Sequence, residues 1–241
     1  MSSRERTERE EDMKFFNYRK DVNKLLDYIA GITEDMMTYD GEDELDSYTT
    51  DFFGEDVQFD FDEGVSKKVI VFSNLGFVIK FDNCGDSERE VDIYNAAVDC
   101  GLGDCFPTTK LLCYHNGCQW TYQEIAKSLF GNRKEQREKA ERLKVKEEAV
   151  EMIWNIIDDI PNCTRTDCLS RAWLKIAINY FGYTHMGKLA RFIQVNRIND
   201  LHNGNVGFVN DRPVLIDFCG YHWDTDYYDF GYSCDSDSEK S

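Results

Sequence analysis

Long apolar runs do not occur in this chain. No window approaches the ~20 consecutive apolar residues a membrane-spanning helix needs, so no membrane segment is expected. The opening stretch, MSSRERTERE, carries no apolar core, which excludes a secretory signal there and points to a cytoplasmic protein. Basic residues are in short supply: 28 Lys and Arg face 46 Asp and Glu, for a net charge of −18. A nucleic-acid backbone is bound by a basic footprint, so direct nucleic-acid binding is not expected. Internal repeats are absent, and biased composition is confined to the acidic ends. Aromatics, by contrast, are plentiful, with 16 Phe, 13 Tyr and 4 Trp, which argues against global disorder. The 241 residues suffice for one large domain or two small ones with a real core.

The charge is unevenly placed. Residues 1–64 carry a net −13 and residues 224–241 a net −5, so the middle of the chain is neutral. The ends read as solvated segments. A second reading makes them an acidic surface for a basic protein partner. Nine cysteines include three C-x4-C pairs, Cys100/Cys105, Cys113/Cys118 and Cys163/Cys168. Zinc sites favour two-residue spacings with a second pair or His nearby, so free thiols in a reducing compartment are expected.

Periodicity organises the rest. Phe15, Tyr18, Val22, Leu25, Leu26 and Ile29 recur at helical spacing and predict one amphipathic helix ending near Gly31 or after Met37. Residues 38–56 read as an acidic loop or short helix. KKVIVF (67–72) and FVIKF (77–81) predict a hairpin, followed by a helix over 88–99 with Asp86 or Ser87 as its N-cap. A second hairpin, 111–115 with 119–125, turns at Asn116-Gly117. Residues 133–158 predict one charged helix ending before Pro161. Helices over 166–180 and 184–197 follow, then a last hairpin from VGFV (206–209) and VLIDF (214–218), turning at residues 210–213.

That last hairpin carries the chemistry. Asp200 and Asn205 lie on the loop entering it, and Asp217 ends its second strand. A short hairpin brings Asn205 and Asp217 together. An amide oxygen and a carboxylate are hard ligands suited to Mg2+, whose other positions stay with water and phosphate. Asp200 is then placed to orient an attacking hydroxyl.

This spacing resembles the protein-kinase-like superfamily, in which D-x-x-x-x-N is followed by D-F-G across a short hairpin. D-L-H-N-G-N supplies Asp200 and Asn205, and D-F-C-G supplies Asp217. The D-L-H-x-G-N form is similar to that of the aminoglycoside kinases, and compact chains of this style to bacterial or phage proteins. F-V-I-K matches V-A-I-K and places Lys80 at the phosphate-binding lysine, with Glu90 as its helix partner and Glu88 as the fallback. The resemblance covers residues 60–221. It implies an α+β, bilobal fold: an acidic extension with one helix (1–59), a small antiparallel N-lobe (60–126), a minimal helical C-lobe with a catalytic hairpin (127–223) and an acidic tail (224–241). It implies that backbone N–H groups from Gly64, Val65, Ser66 and Lys67 cover the phosphates, although G-x-G-x-x-G is absent. Backbone groups of Glu124 and Ala126 would hold adenine. ATP and Mg2+ are the implied ligands, with Asn205 and Asp217 on the metal and γ-phosphoryl transfer to a hydroxyl, expected on a protein.

The chain also departs from that pattern. Ile198 and Asn199 replace the His and Arg before the catalytic Asp, which implies no phosphorylation-controlled activation loop. The 24 residues after Asp217 leave no space for an activation segment, A-P-E motif and peptide-binding helices. His202 is expected to bond backbone carbonyls near the site, and Cys219 to be a small buried filler. His222, Tyr221, Trp223, Tyr227, Tyr228 and Phe230 are expected to close the core. Three rivals stay open: a nucleotide-binding pseudokinase, an inhibitor whose acidic surface mimics nucleic acid, and a nucleotidyl transferase on the same fold. A phage source would make the site of action the host cytoplasm.

Overall fold

The computed structural model describes residues 60–63, 67–73, 76–82, 85–115, 118–128, 133–159 and 169–219. The predicted N-terminal helix, both acidic ends, Gly64, Val65 and Ser66, the Asn116-Gly117 turn, the Cys163/Cys168 pair and the aromatic cluster after Gly220 lie outside them. The fold is α+β, as expected. Five strands, β1 (Asp60–Glu63), β2 (Lys68–Phe72), β3 (Phe77–Asp82), β4 (Thr109–His115) and β5 (Cys118–Glu124), form an antiparallel sheet in the order β1-β2-β3-β5-β4. Helix α1 (Asp86–Asp99) and a short 3-10 turn (Gly103–Cys105) connect β3 to β4.

Strand β3 is buried along its whole length, with a different chemistry on each face. Phe77, Ile79 and Phe81 point one way. Phe81 stacks on Trp120 at 4.4 Å, and Phe77 on Phe72 at 4.9 Å. Val78, Lys80 and Asp82 alternate onto the opposite face, where α1 packs. The α1 N-terminus is not capped by Asp86 or Ser87. Its N-cap is Gly85, at φ 91°, and the cap is supplied by Asp82, which accepts from Gly85 N–H and Ser87 N–H at 2.8 Å each. A carboxylate from the preceding strand thereby meets the positive end of the helix and fixes its entry angle.

Beyond β5, a two-residue strand β6 (Lys127–Ser128) leads to helices α2 (Arg133–Glu141), α3 (Glu147–Asp158), α4 (Arg171–Phe181) and α5 (Tyr183–Val195). The single helix expected over 133–158 is broken at residues 142–146. The two halves bury different faces: α2 buries Ala140 alone in its second half, whereas α3 buries Val150, Ile153 and Ile157 at helical spacing. One straight rod cannot seat both. The helical core gathers Ile93, Phe106, Ile153, Trp173, Leu189 and Phe218 with their neighbours.

The last hairpin, β7 (Val206–Val209) and β8 (Arg212–Leu215), joins β6 in a small second sheet. Its turn is tighter than the sequence suggested. Asn210 and Asp211, at φ 50° and 51°, form a two-residue connection of the kind that matches strand twist. Gly207 is required by close approach: a Cβ there would lie 2.3 Å from the Lys127 carbonyl oxygen. Trp173 Nε1–H donates to the Gly207 carbonyl at 3.3 Å, seating the hairpin on α4.

Candidate active site

Three parts of the chain meet beneath the sheet. Lys80 and Val69 are paired residues on neighbouring strands, so they share a face, and Lys67, two before Val69, extends that face. Helix α1 presents Glu90 to it on the same stripe as the buried Ile93 and Ala97. Beyond β8, Phe218 is fully buried and packs edge-on against Phe106 at 4.8 Å, which anchors the backbone that carries Asp217.

The resulting ion cluster is tight. Lys80 Nζ donates to Glu90 Oε2 at 3.0 Å and Oε1 at 3.2 Å. Lys67 Nζ donates to Glu90 Oε1 at 2.8 Å, Asp217 Oδ1 at 3.0 Å and Cys219 Sγ at 3.2 Å. Glu90 has no exposure, and both lysines are buried. Two cations thus balance two carboxylates, the condition under which charges can be held out of water. Burial pulls Lys67 down, but Glu90 and Asp217 outweigh it and lift its ammonium well above the usual lysine value. Burial pushes Asp217 up, but Lys67 and Lys80 prevail and hold it well below the usual carboxylate range. Its side chain still keeps 44% of its surface open, which leaves a face for a ligand.

The second half of the site lies across the hairpin. The Ile216 N–H donates to the Asn205 carbonyl at 2.9 Å, so Asn205 and Asp217 lie at neighbouring backbone positions across the hairpin. Asn205 Nδ2 donates to the Asp200 carbonyl at 2.8 Å and to Asp200 Oδ2 at 3.0 Å. The amide nitrogen is therefore committed, and its Oδ1 points the other way. Asp200 Oδ1 is buried without a hydrogen-bond donor. Among the described residues His202 bonds no backbone carbonyl. Its Nδ1 accepts from Gly204 N–H at 2.9 Å, which puts the ring proton on Nε2, 3.5 Å from Asp200 Oδ1.

Other expectations resolve individually. Glu88 is exposed and accepts from Tyr114 Oη–H at 2.6 Å and Gln119 Nε2–H at 2.8 Å, so Glu90 is the lysine's partner. Lys67 brings its side chain into the cluster, a role the sequence signalled only by the period-2 alternation through Val69. Cys219 is buried, as expected, and it also touches Lys67 and Asp217. Glu124 N–H is taken by the Thr108 carbonyl at 2.9 Å. Its carboxylate binds Arg212 at 3.0 Å, and Arg212 also donates to the carbonyls of Asp104 at 2.6 Å and Phe106 at 2.9 Å. Sequence reading missed this clamp between the last hairpin, the end of β5 and the 3-10 turn. Cys105 and Cys219 are free thiols, as expected, but Cys100 is disulfide-bonded. The expectation of free thiols fails there because folding joins cysteines that a spacing rule treats separately. Among the described residues, no helix is long and apolar enough to cross a membrane.

An antiparallel sheet whose strand lysine is held by a glutamate from its one helix, followed by helices and an Asp/Asn/Asp hairpin, is the arrangement implied by the protein-kinase-like resemblance. Among solved structures, the chain is similar to a thermostable mutant of aminoglycoside phosphotransferase APH(4)-Ia, with 10% identity and a TM-score of 0.34 over 72% of this chain and 71% of that one. It is also similar to APH(2")-IIa in its streptomycin-ATP ternary complex, with 16% identity and a TM-score of 0.28 over 67% of this chain and 66% of that one. The gentamicin complex of the same enzyme gives 14% identity and a TM-score of 0.29, over 73% and 69%. No family model and no curated protein matches the chain.

Proposed function

We propose that this chain is an ATP-dependent phosphotransferase that moves a γ-phosphoryl group to a hydroxyl acceptor. One observation carries the reading: Lys80 of the central strand and Asp217 of the last hairpin converge on one ion cluster built around the buried Glu90. Glu90 orients the two ammoniums, and Lys80 and Lys67 offer their N–H donors to phosphate oxygens. Asp200 Oδ1, which has His202 Nε2 at 3.5 Å but no hydrogen bond among the described residues, accepts the proton of the acceptor hydroxyl, while Asn205 holds Oδ2 in place. Rate acceleration then comes from positioning and charge neutralisation. The oxygen donors Asn205 Oδ1 and Asp217 fit Mg2+, because the first is turned away from Asp200 and the second keeps an open face. When bound, the ion would neutralise charge on the phosphate oxygens. The acidic ends, net −13 and −5, would draw in a cationic acceptor, either a hydroxylated amine or a basic protein.

A second reading is nucleotide binding without turnover. The contact between Lys67 and Asp217 favours it, because the ammonium already occupies a carboxylate oxygen that the metal would use. The test incubates purified protein with γ-labelled ATP and magnesium, with a lysate and with cationic hydroxylated amines, beside Asp217→Ala. Label on an acceptor, lost in a folded variant, supports transfer. Nucleotide-dependent thermal stabilisation with no label selects the second reading, and normal turnover by the variant refutes the site assignment.

A further inference from the structure

Away from the ion cluster, the 3-10 turn after α1 meets the start of α5. Cys105 Sγ lies 3.3 Å from His185 Nε2, His185 Nε2 lies 3.5 Å from Asp104 Oδ1, and Cys105 Sγ lies 4.0 Å from Asp104 Oδ1. We propose that Cys105, His185 and Asp104 bind one zinc-class divalent ion.

Geometry comes first. Metal bonds of ~2.3 Å to sulfur and ~2.0–2.2 Å to nitrogen and oxygen, at tetrahedral angles, place ligand atoms about 3.3–3.6 Å apart. Two of the three separations already fall in that range. The third needs a small shift of the Asp104 carboxylate, whose side chain is 56% exposed and free to make it. Hydrogen bonding holds the three groups only loosely: Cys105 Sγ–H donates to Asp104 Oδ1 at 4.0 Å, and His185 Nε2 lies 3.3 Å from the sulfur and 3.5 Å from the carboxylate. A cation at the centre is met by all three atoms together.

The surroundings hold the ligands in place. Arg212 grips the carbonyls of Asp104 and Phe106 on either side of Cys105, and the His185 ring stacks on Phe181 at 5.2 Å and 15°. Sulfur, imidazole and a single carboxylate select a borderline-soft ion over magnesium or calcium. His185 is partly exposed, so water completes the fourth position. A nucleophilic role for Cys105 is excluded by access, since the residue is 1% exposed. The ion would tie the turn to α5 across 80 positions of sequence.

The test strips the full chain with chelator and titrates Co2+, then Zn2+. One equivalent of Co2+ should give thiolate-to-metal charge-transfer absorption, removed by the more tightly bound Zn2+. Cys105→Ser and His185→Gln should each weaken Co2+ by more than the ~10–100-fold that losing a supporting partner costs. Cys219→Ser should keep the absorption. Zn2+ should raise the melting temperature of the parent chain and leave that of His185→Gln unchanged. His185 lies at the surface, so its variant remains informative if Cys105→Ser fails to fold. The proposal is overturned if no charge-transfer band forms, if the band survives in folded His185→Gln, or if Cys219→Ser abolishes it.

Discussion

Replacing Glu90 by Ala removes the anion on which two buried ammoniums depend. Glu90 makes contacts of 3.0 and 3.2 Å to Lys80 and 2.8 Å to Lys67, and has no solvent exposure. Lys67 keeps Asp217 at 3.0 Å, so Lys80 is the ammonium that loses its direct ion-pair partner. Stranding one buried charge costs ~3–5 kcal/mol. At ~2–4 °C per kcal/mol for a chain of this size, the melting temperature should fall by ~6–20 °C. The comparison is Glu88→Ala, which loses contacts at an exposed position and should shift melting by ~0–4 °C. Thermal and urea unfolding near neutral pH, followed by circular dichroism, would read both. If Glu90→Ala melts with the parent chain, or Glu88→Ala costs as much, the buried two-lysine cluster is not how this site is held.

Lys67→Met probes the same cluster through pH. The folded ammonium titrates well above 10.5, so its stabilisation is complete below about that pH and is lost as pH rises through the folded value. The stability gap between parent and variant should therefore narrow under alkaline conditions, as measured by urea titrations at stepped pH; a gap independent of pH would contradict the ion-pair origin. Gly207→Ala should cost at least the ~1–3 kcal/mol of an overpacked site, because the new methyl meets the Lys127 carbonyl, and denaturant unfolding checks it. Asp200→Asn should lower transfer ~10²–10⁴-fold while ATP still stabilises the protein against heat, as expected for loss of a proton acceptor; unchanged single-turnover rates would remove Asp200 from that role.

What the chain itself determined is local in sequence. Alternation and turn residues specify the hairpins, since strand period and turn geometry need only neighbouring residues. The order Lys80, Glu90, Asp200, Asn205, Asp217 is likewise legible, because each residue sits in a short motif. Glu90 could be preferred to Glu88 because it shares a helical side with Tyr94 and Ala97. Tertiary structure decided the rest. Lys67 and Asp217 are 150 positions apart, and only the packing of β8 on α4 and the 3-10 turn makes them partners. The break at 142–146 reflects two helices burying faces that a straight rod cannot align. Arg212 clamps the end of β5 and the 3-10 turn from 88 to 108 positions away. Cys105 meets His185 across 80 positions, out of reach of any spacing rule. Local physics constrains the backbone of each element, but which charges share one buried volume depends on how the elements pack, and packing is not a property of any short stretch.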